Sequence, residues 1–357
     1  MAQSPRKSRY LGAEAVNGLK MISPPAIYAT FLLAVPLFLI LLYSFLTDGY
    51  LTIEYIPTFE NYTRTWTSPV FEVVLLRSLG ISMAVTVATV LTAFPMAYFV
   101  SFYVDPSKKS IWLFLITIPF WTSYLIRVFL WVVILGYNGV VNSTLMGLGI
   151  ISEPITAILY NANAVVITLA HAYAPFAILP IFVALEKIDR SLLEAGRDLG
   201  ESPFMTFLRV TLPLALPGVV SAIMIVFIPT IGDYVTPALL GGPEGRMVAN
   251  LVQLQYLKLD NYPMGSATAV SSMAMVGLAL IVGFAQSKLF KRVFSAFMGS
   301  TNAGLAFFTA LAAVVISFAA SALVGMALNG AFYAIVLSIA VGHLVLFFWL
   351  KKTEAKR

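Results

Sequence analysis

Long apolar runs dominate the chain and recur at intervals too short for much else to lie between them. They cover about 27–46, 73–102, 111–136, 164–185, 214–235, 265–284, 305–328 and 331–350. Each reaches or exceeds the ~20 residues a helix needs to cross a bilayer. The pattern therefore predicts an all-α polytopic membrane protein with eight spans. The first run is too long for a signal-peptide core and has no small-residue cleavage site behind it, so it reads as a span, with Pro36 tolerated inside. The polar intervals include a tight turn at Asp105-Pro106-Ser107-Lys108-Lys109 and a polar, aromatic loop over 48–70. A mixed loop carries Asn138, Asn142, Glu153 and Asn161, a Gly- and Pro-containing loop covers 237–263, and Asn329-Gly330 turns between the last two runs.

One polar interval is different. Ser191-Leu192-Leu193-Glu194-Ala195 reads as a short amphipathic helix, and Gly200 suits the left-handed position that ends one because it has no Cβ to clash. Ser202-Pro203 restarts a helix, with Ser202 as cap and Pro203 at the first helical position, and the interval closes on Leu212-Pro213. Two short helices joined at a bend and held against a membrane face suit docking better than catalysis.

The composition agrees with a membrane protein: 357 residues, 60% hydrophobic and 11% charged, where soluble chains carry about a quarter charged residues. The net charge of +6 raises the question of nucleic acid. The basic residues, however, sit in short loops between spans, which is a topology signal. Apart from Arg64, Arg77, Arg127, Arg246 and Lys258, every Lys and Arg falls in segments that lie on one side when the N-terminus is inside. The rule that such segments are cytoplasmic then puts both termini, and the Glu194 bend, in the cytoplasm.

Catalytic patterns are missing from the sequence. There is no G-x-x-x-x-G-K-S/T to cradle nucleotide phosphates and no H-E-x-x-H, and the two histidines, His171 and His343, are far apart. There are no cysteines, hence no disulfide or thiolate metal site, and the redox compartment stays open. Asn61-Tyr62-Thr63 and Asn142-Ser143-Thr144 fit a glycosylation pattern of a kind that also arises by chance. Gly196 and Gly200 have the G-x-x-x-G spacing, but in a polar loop where the membrane-dimer reading does not apply. The chain is expected to bind no cofactor and to be no enzyme.

Ionisable groups inside spans are more informative, since a charge at the bilayer centre costs about 2.5–3.5 kcal/mol on insertion scales. Arg127 follows Phe120-Trp121-Thr122-Ser123-Tyr124-Leu125-Ile126 towards the outer part of the third span. It either snorkels to the interface, pairs within the bundle or touches a solute. Asp233, followed by Tyr234, lies at the outer end of the fifth span, where Pro229 and Gly232 should break the helix. It is either a cap or part of a solute path, because broken helices often line transporter sites. Trp121, Tyr124 and Tyr234 form an interfacial belt or wall a cation site with their ring faces.

Glu194-Ala195-Gly196, then Gly200, nine residues, and Val210-Thr211-Leu212-Pro213 resemble the E-A-A-x-x-x-G-x9-I-x-L-P loop of bacterial ABC-importer permeases, with Gly196 for the second Ala and Val210 for Ile. Pro119-Phe120-Trp121-Thr122-Ser123 with Leu125-Ile126-Arg127, and Phe227-Ile228-Pro229 through Asp233-Tyr234-Val235-Thr236-Pro237 to Gly241-Gly242, look like the first permease of spermidine/putrescine importers, with Asn250-Leu251-Val252-Gln253 in keeping. Permeases for opines and other small solutes share much of this.

The resemblance covers about 25–292 and implies a type I ABC importer permease (MetI-like) core of six helices at 26–292. A cytoplasmic segment at 1–25 would precede it, and the coupling loop would lie at 187–213. It implies coupling through Glu194, Ala195, Gly196, Gly200, Leu212 and Pro213. The implied partners are two cytoplasmic ATP-binding subunits, a second homologous permease and an extracytoplasmic solute-binding protein. The setting would be the lipid of a bacterial inner membrane, with no nucleic acid. A small cationic solute would pass by alternating access along Trp121, Tyr124, Arg127, Asp233 and Tyr234. Such permeases normally end near Arg292, so the hairpin and basic tail at 293–357 are an addition. The rivals are a stand-alone secondary transporter, which needs more titratable groups in its spans, and an integral-membrane enzyme.

Overall fold

The computed structural model describes residues 13–49 and 52–285. The expected seventh and eighth spans, the tail, and Lys288, Lys291 and Arg292 lie outside the described residues. Six stretches within them are long and apolar enough to cross a membrane: Lys20–Tyr43, Pro69–Phe102, Tyr124–Gly147, Ala162–Glu186, Pro203–Ile231 and Tyr262–Leu280.

Helix α1 (Ala13–Tyr43) starts well before the apolar run and carries Pro24, Pro25 and Pro36. Pro24 cannot donate to the Lys20 carbonyl, and the Ser23 hydroxyl does so instead at 3.2 Å. Strands β1 (Leu46–Asp48) and β2 (Ile53–Pro57) then pair antiparallel, with Asp48 opposite Ile53. Helix α2 (Glu60–Thr67) follows. Asn61 Nδ2 fastens it by donating to the carbonyls of Ser44 (3.2 Å) and Leu46 (2.8 Å).

Next come α3 (Pro69–Phe102), α4 (Lys109–Thr117), α5 (Tyr124–Leu135) and α6 (Val140–Gly147). Beyond them lie α7 (Ala162–Glu186), α8 (Arg190–Asp198), α9 (Pro203–Thr206) and α10 (Leu212–Ile231). The last three are α11 (Val235–Leu240), α12 (Val248–Leu257) and α13 (Tyr262–Ala285). Helices α3, α7 and α10 form the centre, where Val85, Ala93 and Val100 meet Leu169, Ile181, Leu185, Ala222 and Val226. Helix α1 lies against α13 with most of its side chains exposed. Asn61 and Asn142 are buried, and Asn142 donates to the Gly136 and Tyr137 carbonyls and accepts from Ile155 N–H. Both therefore serve the fold, and neither is placed to take a sugar.

Small residues let the central helices approach. A Cβ at Gly218 of α10 would lie 2.5 Å from both the Pro180 carbonyl oxygen and the Ala184 Cβ of α7. Between membrane helices, close contact of this kind replaces the hydrophobic driving force that water would supply. Gly218→Val is expected to separate α7 from α10, at a cost above the ~1–3 kcal/mol of ordinary overpacking. The check is its melting temperature in detergent, which should fall by several degrees relative to Val219→Ala.

Two spans differ from the sequence reading. The third, expected as one helix over 111–136, is broken. Helix α4 stops at Thr117, a 3-10 turn covers Ile118–Trp121, and Thr122 and Ser123 are extended, with ψ of 142° and 139°. Pro119 removes a backbone donor, and the hydroxyls of Thr117 and Thr122 take the carbonyls of Phe114 and Pro119, both at 2.8 Å. Such side-chain bonds offer the backbone an alternative to the helix ladder.

The fifth span, expected to begin at 214 after a separate short helix, instead runs on from α9 through a π-turn at Phe207–Thr211 into α10. Pro213 has no N–H for the Arg209 carbonyl, and its ring would press on that carbonyl. The ladder widens there, and Leu212 N–H reaches back to the Phe207 carbonyl. Pro229 is carried inside α10, and the helix stops at Gly232.

Candidate functional site

Two places hold the residues singled out in the sequence. The first is the bend between α8 and α9, at the end of the bundle where α3 finishes and α4 begins. Asp189 caps α8 by accepting from Ser191 N–H at 3.0 Å. Those hydrogen bonds hold its carboxyl below the usual range, so the cap is lost only as acid protonates it. At the other end Gly200 has φ +85°, its N–H bonds the Arg197 carbonyl (2.9 Å), and Glu201 N–H bonds the Gly196 carbonyl (3.1 Å). This pair of bonds is the Schellman stop, which needs a left-handed residue where only glycine is free of strain.

Ser202 then accepts from Met205 N–H at 3.3 Å, with Pro203 at the first helical position. The first short helix, the bend and the restart at Ser202-Pro203 thus follow the sequence reading, whereas the second helix continues into α10. Gly196 is buried, and a Cβ there would meet Thr206 Cγ2 at 3.3 Å. That contact explains why glycine suits the place of the pattern's second alanine. Glu194 and Ala195 are exposed, and so are Leu192, Leu199 (85%), Phe204 and Met205. Leu212 and Pro213 are half-buried at the start of α10.

The second place is the helix break. Tyr124, the first residue of α5, donates its hydroxyl to Asp233 Oδ2 at 2.6 Å and shares a 2.6 Å hydrogen bond with Thr236. Asp233 is only 8% exposed, and its Oδ1 accepts the N–H of Val235, the first residue of α11, at 2.9 Å. Arg127, one turn into α5, lies with its guanidinium 5.9 Å from the Tyr124 ring centroid. It also donates to the Ala172 carbonyl of α7 at 3.5 Å, while its Nε is buried without a hydrogen-bond partner. Arg127 thus reaches across to α7 inside the bundle. Trp131 donates to His171 Nδ1 at 3.3 Å on the adjoining turn.

The break therefore gathers Tyr124, Arg127 and Asp233. Trp121 stands 80% exposed on the 3-10 turn, and the Tyr234 ring is also exposed; neither ring joins the hydrogen-bonded cluster. Tyr234 instead offers its carbonyl to Asn250 Nδ2 at 2.7 Å. Thr236 and Asn250 were within segments read for their resemblance, but nothing local marked them as partners of the break. No group of three or more His, Asp or Glu side chains suited to a metal occurs among the described residues.

Residues 90–356 match the family model described as the binding-protein-dependent transport system inner membrane component. The chain belongs to that family. Among relatives of this permease, a spermidine/putrescine transport system permease protein PotB from Haemophilus influenzae is 38% identical over 263 residues, 73% of this chain and 91% of its own. The PotB of Escherichia coli is 35% identical over 250 residues, 70% of this chain and 90% of its own. The Escherichia coli inner membrane ABC transporter permease protein YdcU is 33% identical over 219 residues, 58% and 69% of the two chains.

Among solved structures, a bacterial ABC transporter importing the acidic polysaccharide alginate matches with a TM-score of 0.57 and 17% identity over 79% of this chain and 95% of that one. The same kind of transporter in complex with an alginate-bound periplasmic protein gives 0.58 and 18% over the same shares. This chain therefore has the fold of an ABC-importer permease and is a membrane transport subunit, not a catalytic one.

Proposed function

We propose that this permease passes spermidine, putrescine or a similar small polycation inward by alternating access, driven by ATP hydrolysis in separate subunits. The observation that carries the reading is the α8–α9 bend, whose shape is complete without any partner. It presents Glu194 and a row of apolar side chains outward, in a family whose PotB members bear the spermidine/putrescine name. The bend faces the cytoplasm and seats an ATP-binding subunit. Two such subunits, a second homologous permease and an extracytoplasmic binding protein complete the machine, and both termini are cytoplasmic. Positive charge at the bend end supports that orientation, since Lys108, Lys109, Lys187, Arg190, Arg197 and Arg209 all lie there.

The solute path runs past the helix break, where Asp233 supplies the carboxylate and Tyr124, Trp121 and Tyr234 supply aromatic faces for a polycation. Arg127 holds the break together and repels the solute from the α7 side. Reconstitution tests the whole reading. Liposomes holding this chain alone should show no spermidine uptake, whereas adding the ATPase, partner permease and binding protein should give ATP-dependent uptake. Uptake by the chain alone, collapsing with an ion gradient, would establish a secondary transporter instead.

A further inference from the structure

The residues on either side of the bend are fastened to helices other than the two they connect. Glu186, the last residue of α7, accepts from Lys109 Nζ at 2.6 Å and from the Ser101 hydroxyl at 2.7 Å, both on the same Oε1. Lys109 is the first residue of α4, and its side chain is only 12% exposed. Arg190, the first residue of α8, donates to the Ser101 carbonyl at 2.9 Å, and its guanidinium lies 5.5 Å from the Phe102 ring centroid. Ser101 is buried near the end of α3, where carbonyls have no partner within the helix and the dipole favours a cation. One residue of α3 is thus gripped twice, its hydroxyl by the end of α7 and its carbonyl by the start of α8.

Beyond the bend, Phe207 of the π-turn packs edge-on against Phe94 and Tyr98, with centroids 5.6 and 5.9 Å apart. Phe94, Tyr98, Ser101 and Phe102 are spaced to share one face of α3.

We propose that Glu186 and Arg190 are positioning residues that clamp the entry of the coupling bend to the ends of α3 and α4. A displacement of the bend then moves four helices together and not only the two it connects. This rests on the coupling role proposed above for α8–α9. Without the clamp, force on the bend would pass along the backbone into α7 and α10 alone. With it, α4 leads directly to the break that carries Tyr124. Helix α3 reaches the opposite end, where Ser78 accepts from Val248 N–H at 2.6 Å and Arg77 donates to the Pro243 carbonyl at 2.9 Å. That loop continues to Asn250, which bonds the Tyr234 carbonyl beside Asp233. The grip at Ser101 and Phe207 thus connects the bend to both sides of the helix break through rigid elements. A purely static role would cap α3 and affect stability alone.

The test uses the complete complex reconstituted in liposomes and reads uptake per ATP hydrolysed, together with complex yield and melting temperature. Glu186→Ala and Arg190→Ala are each expected to lower uptake per ATP by about fivefold or more, the range of ordinary coupling between sites, with ATPase subunits still bound. Glu186→Gln keeps an acceptor for Ser101 and should recover part of the loss. The exchange Glu186→Lys with Lys109→Glu restores the ion pair and should recover more than either single change. A normal ratio in Glu186→Ala and Arg190→Ala overturns the clamp, as does a loss of uptake that only follows melting temperature. Glu194→Ala separates the two readings. If it uncouples while the clamp variants do not, the clamp alone fails; if none of the three changes the ratio, the coupling role of the bend fails with it.

Discussion

Glu194→Ala in the complete complex is expected to leave ATP hydrolysis running while spermidine uptake falls by about tenfold or more, a change worth ~1.4 kcal/mol or more of coupling. The reason is that the Glu194 side chain has no partner among the described residues. Its side chain is exposed on α8 and makes no hydrogen bond or ion pair among the described residues, although Arg190 and Arg197 are a helical turn away on either side. Its removal should therefore leave the fold almost unchanged, as is usual for a solvated surface charge.

Gly200→Ala reaches the same place by another route. No atom lies within 4 Å of the added Cβ, so the cost is the left-handed backbone alone, about 1–2 kcal/mol. That strain should loosen the Schellman stop and tilt α8 against α9, giving partial uncoupling. Uptake and ATPase activity measured on the same vesicles decide the matter. Wild-type coupling in both variants removes the bend from the drive.

The second large effect is expected at Asp233, and two substitutions divide its roles. Asp233→Ala leaves Val235 N–H without its acceptor and the Tyr124 hydroxyl with Thr236 alone, costing about 1–3 kcal/mol for a buried unsatisfied group. The junction of α10 and α11 should loosen and melting temperature should fall. Asp233→Asn keeps the shape and one acceptor oxygen, for Val235 N–H, and turns the other into an NH2 that the Tyr124 hydroxyl can accept from while donating to Thr236, so the charge is removed with the hydrogen bonds re-formed. If the carboxylate attracts a passing polycation, Asp233→Asn should reduce spermidine uptake about tenfold, equivalent to ~1.4 kcal/mol, at nearly wild-type melting temperature. It should affect a trication more than the dication putrescine. Full uptake in Asp233→Asn alongside an unstable Asp233→Ala would make Asp233 a structural hydrogen-bond acceptor and nothing more.

Much of the bend was readable from the chain because its signals are local. A glycine free to take φ +85°, a serine two residues later and a proline at the next position specify a stop and a restart without help from elsewhere. The lengths of the apolar runs likewise announced most of the six described spans, although the third is broken. Pro119 and Pro213 were visible too. Whether a proline breaks a helix, widens it to a π-turn or is carried along, as Pro229 is, depends on which side chains and neighbouring helices take up the freed carbonyls.

Pairings across the bundle could not be read in this way. Tyr124 meets Asp233 across 109 positions, and Arg190 meets Ser101 across 89. Spans that are apolar on all faces carry almost no moment to say which face turns inward, because lipid and protein interior accept the same residues. The sequence by itself determined the approximate places of most of the described spans, the bend and the family. Only the tertiary structure, by fixing each helix's rotation and depth, decided which polar groups meet at the break and which helix ends are gripped beside the bend.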